Sequence, residues 1–406
     1  MSITSTAANK SITIIRVVFE FDPAKGGSIT HAIELSRQMN PYLQNQVIIA
    51  PNYGIECKNF DNFFEVPVMR VEFPQWLNYF NYLQLPVLPF ICFGYAYNVL
   101  KHVKKMSYSE NTLLYVHGTL LGSILTALTK IFDLKIPLII LQDSGNRFNV
   151  STKTTLSTHL SFILLKIFNP KKLIIVDDGT GVDKTKTICY EYGIPCESVY
   201  HSINSDFFKP NNIEREQKFI ILSNHSLNTY KRVDLTILIF KKFLERIGYK
   251  TDVRLSIVGG GPVVKKLLEL VKIEELESYV EFVGEKSIKE VVDLINISDV
   301  VVGTSLISNL NLSIQEAMSC EKAVVVFDSG EIKKLIIDMK NGILVPTNDL
   351  ENFAEKLEML YENQELAKVL GQNARKTIID ERSWTVRVQK ELNIYDEALS
   401  KKNYKR

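Results

Sequence analysis

Residues 254–271 read RLSIVGGGPVVKKLLELV, and residues 280–305 read VEFVGEKSIKEVVDLINISDVVVGTS. The first opens on an apolar, β-branched run ending at Val258, breaks at three glycines and Pro262, and resumes with apolar residues at helical spacing. The second repeats that order: a run at 280–283, a polar turn, an amphipathic stretch at 288–295 and another run at 300–302. Continuous apolar strands alternating with amphipathic helices mark parallel strands covered on both faces. This stretch predicts a doubly wound α/β layer.

The same rhythm extends in both directions. Strands are expected at 12–21, 46–50, 112–117, 137–142, 173–176 and 198–200, then at 219–223, 254–258, 280–283, 300–302, 323–327 and 343–345. Helices are expected between them, among others at 31–39, 120–132, 233–247 and 263–271, and residues 351–399 read as helix without a strand. Twelve strands exceed one comfortable open sheet, so they divide six and six at the polar stretch 204–218. The expected architecture is two Rossmann-like domains, 1–205 and 206–384, with a cleft between them. Ligands then belong beyond the carboxyl ends of the strands.

Composition narrows the function classes. A chain of 406 residues with 46% hydrophobic and 23% charged residues is a multidomain globular protein rather than a disordered one. The net charge of +2 divides at Ser205 into +3 and −1, so no global field points to nucleic acid. Five scattered cysteines without a C-x-x-C pair, and a Ser/Thr-rich start without a leader pattern, lead us to expect a reducing, cytoplasmic setting. The longest apolar stretch, 83–100, is interrupted by Pro86, Pro89, Gly94 and Asn98, too often for a membrane span. Aromatic-dense 74–82 leads into it, and Lys101, His102, Lys104 and Lys105 follow. Residues 74–105 therefore suit peripheral contact with the inner face of an anionic membrane, with aromatic core packing the alternative.

Five strand exits carry candidate chemistry. Gly26 and Gly27 follow the first strand, where backbone amides and a helix N-terminus favour an anion; a plain βα turn is the competing reading. Gly259, Gly260 and Gly261 follow the strand at 254–258, but Val264 stands where a dinucleotide fingerprint needs Gly or Ala, which disfavours a nicotinamide cofactor. Lys231 and Arg232 precede a helix whose dipole opposes a cation there, which hints at a bound anion; a solvated charge pair is the alternative. Glu316 lies in the first turns of the helix after 304–312, where its carboxylate can accept from two ribose hydroxyls or simply offset the dipole. His117 closes the strand at 112–117, suited to proton or hydrogen-bond work, although a lone histidine is more often structural. No histidine pair has metal-ligand spacing, so no metal is expected.

In this order the loops resemble the retaining glycosyltransferases of the GT-B fold, family 4, the glycosyl transferases group 1. The resemblance spans Ile12 to about Leu399 and is densest in the second half, where SIQEAMSCEKAVVVFDSG (313–330), NGILVPTNDLENFAEKL (341–357) and SWTVRVQKELNIYDEAL (383–399) join the two stretches quoted first. It implies transfer of a sugar from a nucleotide-diphospho-sugar donor to a glycan or lipid-linked acceptor with retention, without metal or other cofactor. It also implies that a C-terminal helix, 385–406, crosses back to complete the N-terminal domain. By resemblance, Gly26 and Gly27 cradle the diphosphate side, Lys231 neutralises the leaving diphosphate, Glu316 holds the ribose, and Gly259, Gly260 and Gly261 line the nucleotide wall. His117 falls near a functional histidine of the family.

The chain departs from the family pattern at the donor site. Ser308 replaces the first glutamate of the Glu-seven-residues-Glu motif, leaving Asn309 and the backbone amides around Leu310 and Asn311 as candidate donor-sugar contacts. The family arginine five residues before the lysine is Ser226 here, with His225 the nearest cationic candidate. Those changes motivate the alternative of a catalytically weakened subunit that binds another glycosyltransferase.

Overall fold

A computed structural model describes residues 11–19, 27–52, 60–63, 66–73, 88–106, 108–142, 156–179, 181–214, 217–306 and 310–400. The chain divides into two compact units, Met1–His201 with Arg387–Arg406, and Ser202–Val386.

The first unit runs β1 (Thr13–Val17), α1 (Gly27–Met39), β2 (Asn45–Asn52), β3 (Phe60–Phe63), β4 (Val66–Glu72), α2 (Leu88–Val103), β5 (Thr112–His117), α3 (Thr119–Ile131), β6 (Leu138–Gln142), α4 (Leu156–Phe168), β7 (Lys172–Asp177), α5 (Val182–Glu191) and β8 (Cys196–Tyr200). Its sheet has the order β3-β4-β2-β1-β5-β6-β7-β8. All neighbours pair parallel except β3 with β4. The burial of β5 throughout, and of β7 from Leu173 onward, shows why these strands read as continuous apolar stretches.

The second unit runs β9 (Phe219–Asn224), α6 (Val233–Ile247), β10 (Val253–Val258), α7 (Val264–Ile273), β11 (Val280–Gly284), α8 (Ile288–Ile297), β12 (Val300–Gly303), α9 (Leu312–Ser319), β13 (Ala323–Asp328), β14 (Ile343–Pro346), α10 (Leu350–Glu362) and α11 (Gln364–Thr377). Its six strands are all parallel in the order β11-β10-β9-β12-β13-β14. Ser287 starts α8 with a reciprocal capping box to Glu290. The last helix, α12 (Trp384–Leu399), belongs to the first unit from Arg387 onward.

The six-and-six division of strands is corrected to eight and six among the described residues. The missed pair is β3 and β4. The described residues between β2 and β4 form the antiparallel edge strand β3, so the strand–helix rhythm skips it. Pro67, Arg70 and Glu72 also interrupt the apolar run of β4.

In both sheets the order reverses beside the first strand of the unit. The second sheet grows from β9 to β10 and β11 on one side, then from β12 to β14 on the other. The first grows from β1 to β2 and β4, then from β5 to β8. Such switch points, β9/β12 and β1/β5, leave a crevice at the carboxyl ends of the strands. The exits of β9, β12 and β5 carry Lys231, Thr304 and His117, and α1, the next described element after β1, begins at Gly27.

Candidate active site

In the second unit, the exit of β9 forms a single 3₁₀ turn, Thr229–Lys231, before α6 begins. Arg232 joins the two in left-handed conformation, φ 50° and ψ 43°, which a non-glycine residue adopts at some cost. The strain is held in place by Thr304 at the exit of β12. Its hydroxyl is 2.9 Å from the Arg232 carbonyl and 3.2 Å from that of Lys231, and 2.8 Å from the Thr236 hydroxyl.

This geometry separates the two cations. Arg232 is neutralised by Asp234, with contacts of 2.9–3.1 Å. Lys231 is half-buried, its ammonium is pushed down in pKa by burial, and among the described residues no carboxylate pairs with it. A partly desolvated, uncompensated cation at a switch point is suited to an anionic ligand.

His225 lies between Lys231 and α9. Its Nε2 is 3.1 Å from the Val302 carbonyl, so Nε2 carries the proton, and Nδ1 lies 3.2 Å from the Ser313 hydroxyl. Burial, then the charge of Lys231, pulls its pKa down to about 4. His225 is therefore neutral near pH 7, and the expectation that it supplies a cation in place of the family arginine is corrected. Burial, which defeats that role, has no signature in residues 224–228.

Ser313 and Glu316 are three residues apart and share a face of α9. Among the described residues no donor or cation meets the Glu316 carboxylate, and burial raises its pKa to about 7. At the start of α9, Leu310 has φ 36°, its carbonyl accepts from the Gln315 amide, and Asn311 Oδ1 accepts from Ser313 at 3.0 Å. Ser308 and Asn309 lie outside the described residues.

The triglycine exit of β10 packs directly on the exit of β9. The Leu227 amide donates to the Gly260 carbonyl at 2.8 Å and His225 N to Val258 O at 3.1 Å. A Cβ on Gly259, at φ 126°, would lie 2.1 Å from the His225 carbonyl, and one on Gly261 would lie 2.1 Å from that of Leu227. These glycines let two loops touch backbone to backbone, and so fix the loop that carries Lys231. Gly259→Ala is expected to cost at least ~1–3 kcal/mol of stability from strain alone and to weaken nucleotide binding with it. A thermal melt within 1 °C of the parent, by ordinary calorimetric error, would contradict this packing role.

In the first unit, α1 begins at Gly27, four residues before the expected start near His31, and Gly26 lies outside the described residues. His117 ends β5, is buried, and its Nε2 lies 3.2 Å from Arg16 Nη1. An arginine only donates, so Nε2 accepts and Nδ1 carries the proton. Burial, followed by the charges of Arg16 and Arg387, holds this histidine well below its ordinary pKa. Its Nδ1–H is a buried donor without a partner among the described residues. Sequence reasoning missed Arg16, which is wholly buried in a strand that reads as apolar.

Residues 204–377 match the family model for glycosyl transferases group 1. This segment belongs to the glycosyl transferases group 1 family. The chain is 27% identical over 225 residues to N-acetyl-alpha-D-glucosaminyl L-malate synthase of Bacillus anthracis, covering 55% of this chain and 58% of that one. It is 30% identical over 170 residues to poly(ribitol-phosphate) alpha-N-acetylglucosaminyltransferase of Staphylococcus aureus, covering 41% and 33%. The matches thus span about one third to three fifths of these curated relatives. Among solved structures, Anabaena Alr3699/HepE in complex with UDP aligns with TM-score 0.69 at 15% identity, over 94% of this chain and 98% of that one. The fold is GT-B, with one wholly parallel α/β sheet and one that is parallel except for its β3–β4 edge. Within the glycosyl transferases group 1 segment lie Lys231, the triglycine exit, Leu310, Asn311 and Glu316; His117 and Gly27 lie before it.

Proposed function

We propose that the protein transfers a sugar from a nucleotide-diphospho-sugar to a hydroxyl of a glycan or lipid-linked acceptor, with retention at the anomeric carbon. The observation that carries the reading is the uncompensated Lys231 ammonium at the β9/β12 switch point, with the unpartnered Glu316 carboxylate on the neighbouring helix. The membership of residues 204–377 in the group 1 family and the UDP bound to the HepE structure support a nucleotide-linked donor.

In the reaction, the bond between the anomeric carbon and the diphosphate oxygen breaks, a bond from the acceptor oxygen to that carbon forms on the same face, and the acceptor's hydroxyl proton passes to the departing diphosphate oxygen. The departing diphosphate gains negative charge, which Lys231 offsets in a partly desolvated setting. Glu316 accepts from the ribose hydroxyls and orients the nucleotide. His117, with Nε2 occupied by Arg16, acts as a hydrogen-bond donor through Nδ1 rather than as a base. This reading gives no step to a metal ion, so turnover is expected to persist in EDTA; complete loss, restored by a divalent cation, would overturn that assignment.

Glu316 provides the direct test of the donor site. Only its ionised form accepts from two hydroxyls, and its pKa of about 7 makes that form scarce below neutrality. UDP-sugar affinity is therefore expected to rise about ninefold from pH 6 to pH 8, as the ionised fraction rises from about one tenth to about nine tenths. Glu316→Gln should bind weakly and flatten this profile. Calorimetric titration that shows a flat profile for the parent protein would remove Glu316 from the nucleotide. Tight binding without turnover, together with a co-purifying transferase, would favour the subunit reading, for which the neutrality of His225 is the structural motive.

A further inference from the structure

Among the described residues of the first unit, α2 and α4 present exposed apolar side chains. Helices α2 and α4 both pack on α3 and touch each other, and residues 119–129 of α3 are buried throughout. The first three turns of α2 carry no charge, and one side of the helix is buried in the core. Its other side, where a surface helix ordinarily places polar residues, presents Phe90, Phe93 and Tyr97 at positions i, i+3 and i+7, with Phe90 77% exposed. On α4, Ile163 and Ile167 are spaced i, i+4 and also point outward, Ile167 at 63% exposure. Two adjacent helices thus each turn a bare apolar stripe to solvent.

The two helices carry basic residues and no carboxylate. No Asp or Glu occurs from residue 73 to residue 109, and residues 73–176 hold ten Lys/Arg against three Asp/Glu. That is a stretch of +7 within a chain of net +2. Lys101 and Lys104 follow Tyr97 at i+4 and i+7, on the same stripe, and both are exposed, as is Lys105. Lys166 lies between Ile163 and Ile167. Lys104 and Lys166 rest over the rings of Phe132 and Tyr192, at 4.5 and 4.7 Å, with their stems on apolar surface. A second copy seated on this face would bring like charges together. An aromatic and aliphatic surface edged by lysines instead complements an anionic bilayer, whose headgroups meet the lysines while rings enter the boundary with the acyl chains.

We propose that the α2–α4 face docks the protein on an anionic lipid surface, with Phe90, Phe93, Tyr97, Ile163 and Ile167 entering the interface and Lys101, Lys104, Lys105 and Lys166 meeting lipid headgroups. No described helix is long and apolar enough to cross a membrane, so the contact is one of lying on the surface. The expected contact through 74–105 is thereby extended to α4, while 74–87 lies outside the described residues. The inference deepens the proposed function by placing the acceptor at a lipid surface, yet its test needs no nucleotide-sugar.

The full chain is floated with vesicles of phosphatidylcholine alone, or mixed with phosphatidylglycerol. Binding is expected to the mixed vesicles and to fall as salt rises. Serine at Lys101, Lys104 and Lys105 together should weaken it about 100-fold, from the usual worth of a lysine near an anionic surface. Phe90→Ser with Phe93→Ser should abolish the binding that survives high salt. All these positions are exposed, so the variants keep the parent melting temperature and UDP-sugar affinity. A failed donor reading would leave the flotation result standing, and the reverse holds too. Equal binding to both vesicle types, no binding to either, or flotation indifferent to the serine variants would overturn the proposal. So would a dimer, seen by light scattering without lipid, that Phe90→Ser dissolves.

Discussion

Lys231→Ala is expected to lower kcat by about 10²–10³-fold, the usual loss when one fixed donor to developing charge is removed. The donor carries its diphosphate charge before and after binding, but the oxygen that leaves the sugar gains charge only as the bond breaks. An ammonium beside that oxygen therefore stabilises the transition state more than the bound donor, so the loss falls on kcat more than on KM. The loop itself should survive the substitution. Its left-handed turn is at Arg232, and Thr304 holds it through backbone carbonyls, which alanine retains. Lys231→Arg keeps the charge on a broader head and should recover part of the rate. An internal check comes from His225. The Lys231 charge helps hold that imidazole down at about 4, so in Lys231→Ala its titration, followed by NMR, should move upward. A kcat within tenfold of the parent, with His225 shifted as expected, would show that the side chain is gone and the diphosphate does not depend on it.

What the sequence reveals of this site follows from what each signal measures. Lys231 is legible because a cation ahead of a helix runs against the dipole, and the triglycine exit is legible because such runs stand out at a strand end. Both are local patterns. The charge state of His225 is not legible, because it depends on burial, and the groups its ring meets, Val302 and Ser313, are some eighty residues away. Arg232 reads as half of a basic doublet, and only the folded loop brings Asp234 into bidentate reach. The β3–β4 hairpin escaped for another reason: an edge strand that returns antiparallel needs no helix, so no 3.6-residue period announces it. Arg387 and Glu391 form an i, i+4 pair, which in sequence marks a solvated helix face; here the pair is almost wholly buried.

That buried pair carries the largest stability effect expected in the protein. Glu391 Oε1 accepts from Arg387 Nη2 at 2.7 Å, from Arg387 Nε at 2.9 Å and from the Tyr115 hydroxyl at 3.1 Å. Arg387 Nη1 reaches the Tyr200 carbonyl at 2.9 Å, and Lys390 reaches that of Ser198 at 2.7 Å, so α12 is fastened to β5 and β8. Arg16 sits nearby, wholly buried, with its guanidinium 4.5 Å from the Tyr115 ring. Glu391→Ala leaves Arg387 buried without its anion and should cost about 3–5 kcal/mol. Replacing both partners, Arg387→Met with Glu391→Leu, should recover much of that loss, because no charge is then stranded. His31, His117 and His201 lie in the same cluster, and burial first, with Arg387 next or close behind, lowers the pKa of each. They are neutral in the native state and take up protons on unfolding. Their contribution is therefore complete above the unfolded value of about 6.5 and is lost as pH falls below it, at ~1.4 kcal/mol per pH unit for each histidine. Two carboxyls oppose this: Glu316, raised by burial to about 7, favours the native state as pH falls through the same window, and Asp396 does so nearer its own carboxylate range. His225, held at about 4, joins the other three histidines, and the four outweigh the two carboxyls. Acidification from pH 7 to pH 5 should lower the melting temperature of the full chain, with hydrogen exchange in β5 rising first. A double variant no more stable than Glu391→Ala would show that the alanine defect comes from lost packing of α12 and not from a stranded arginine.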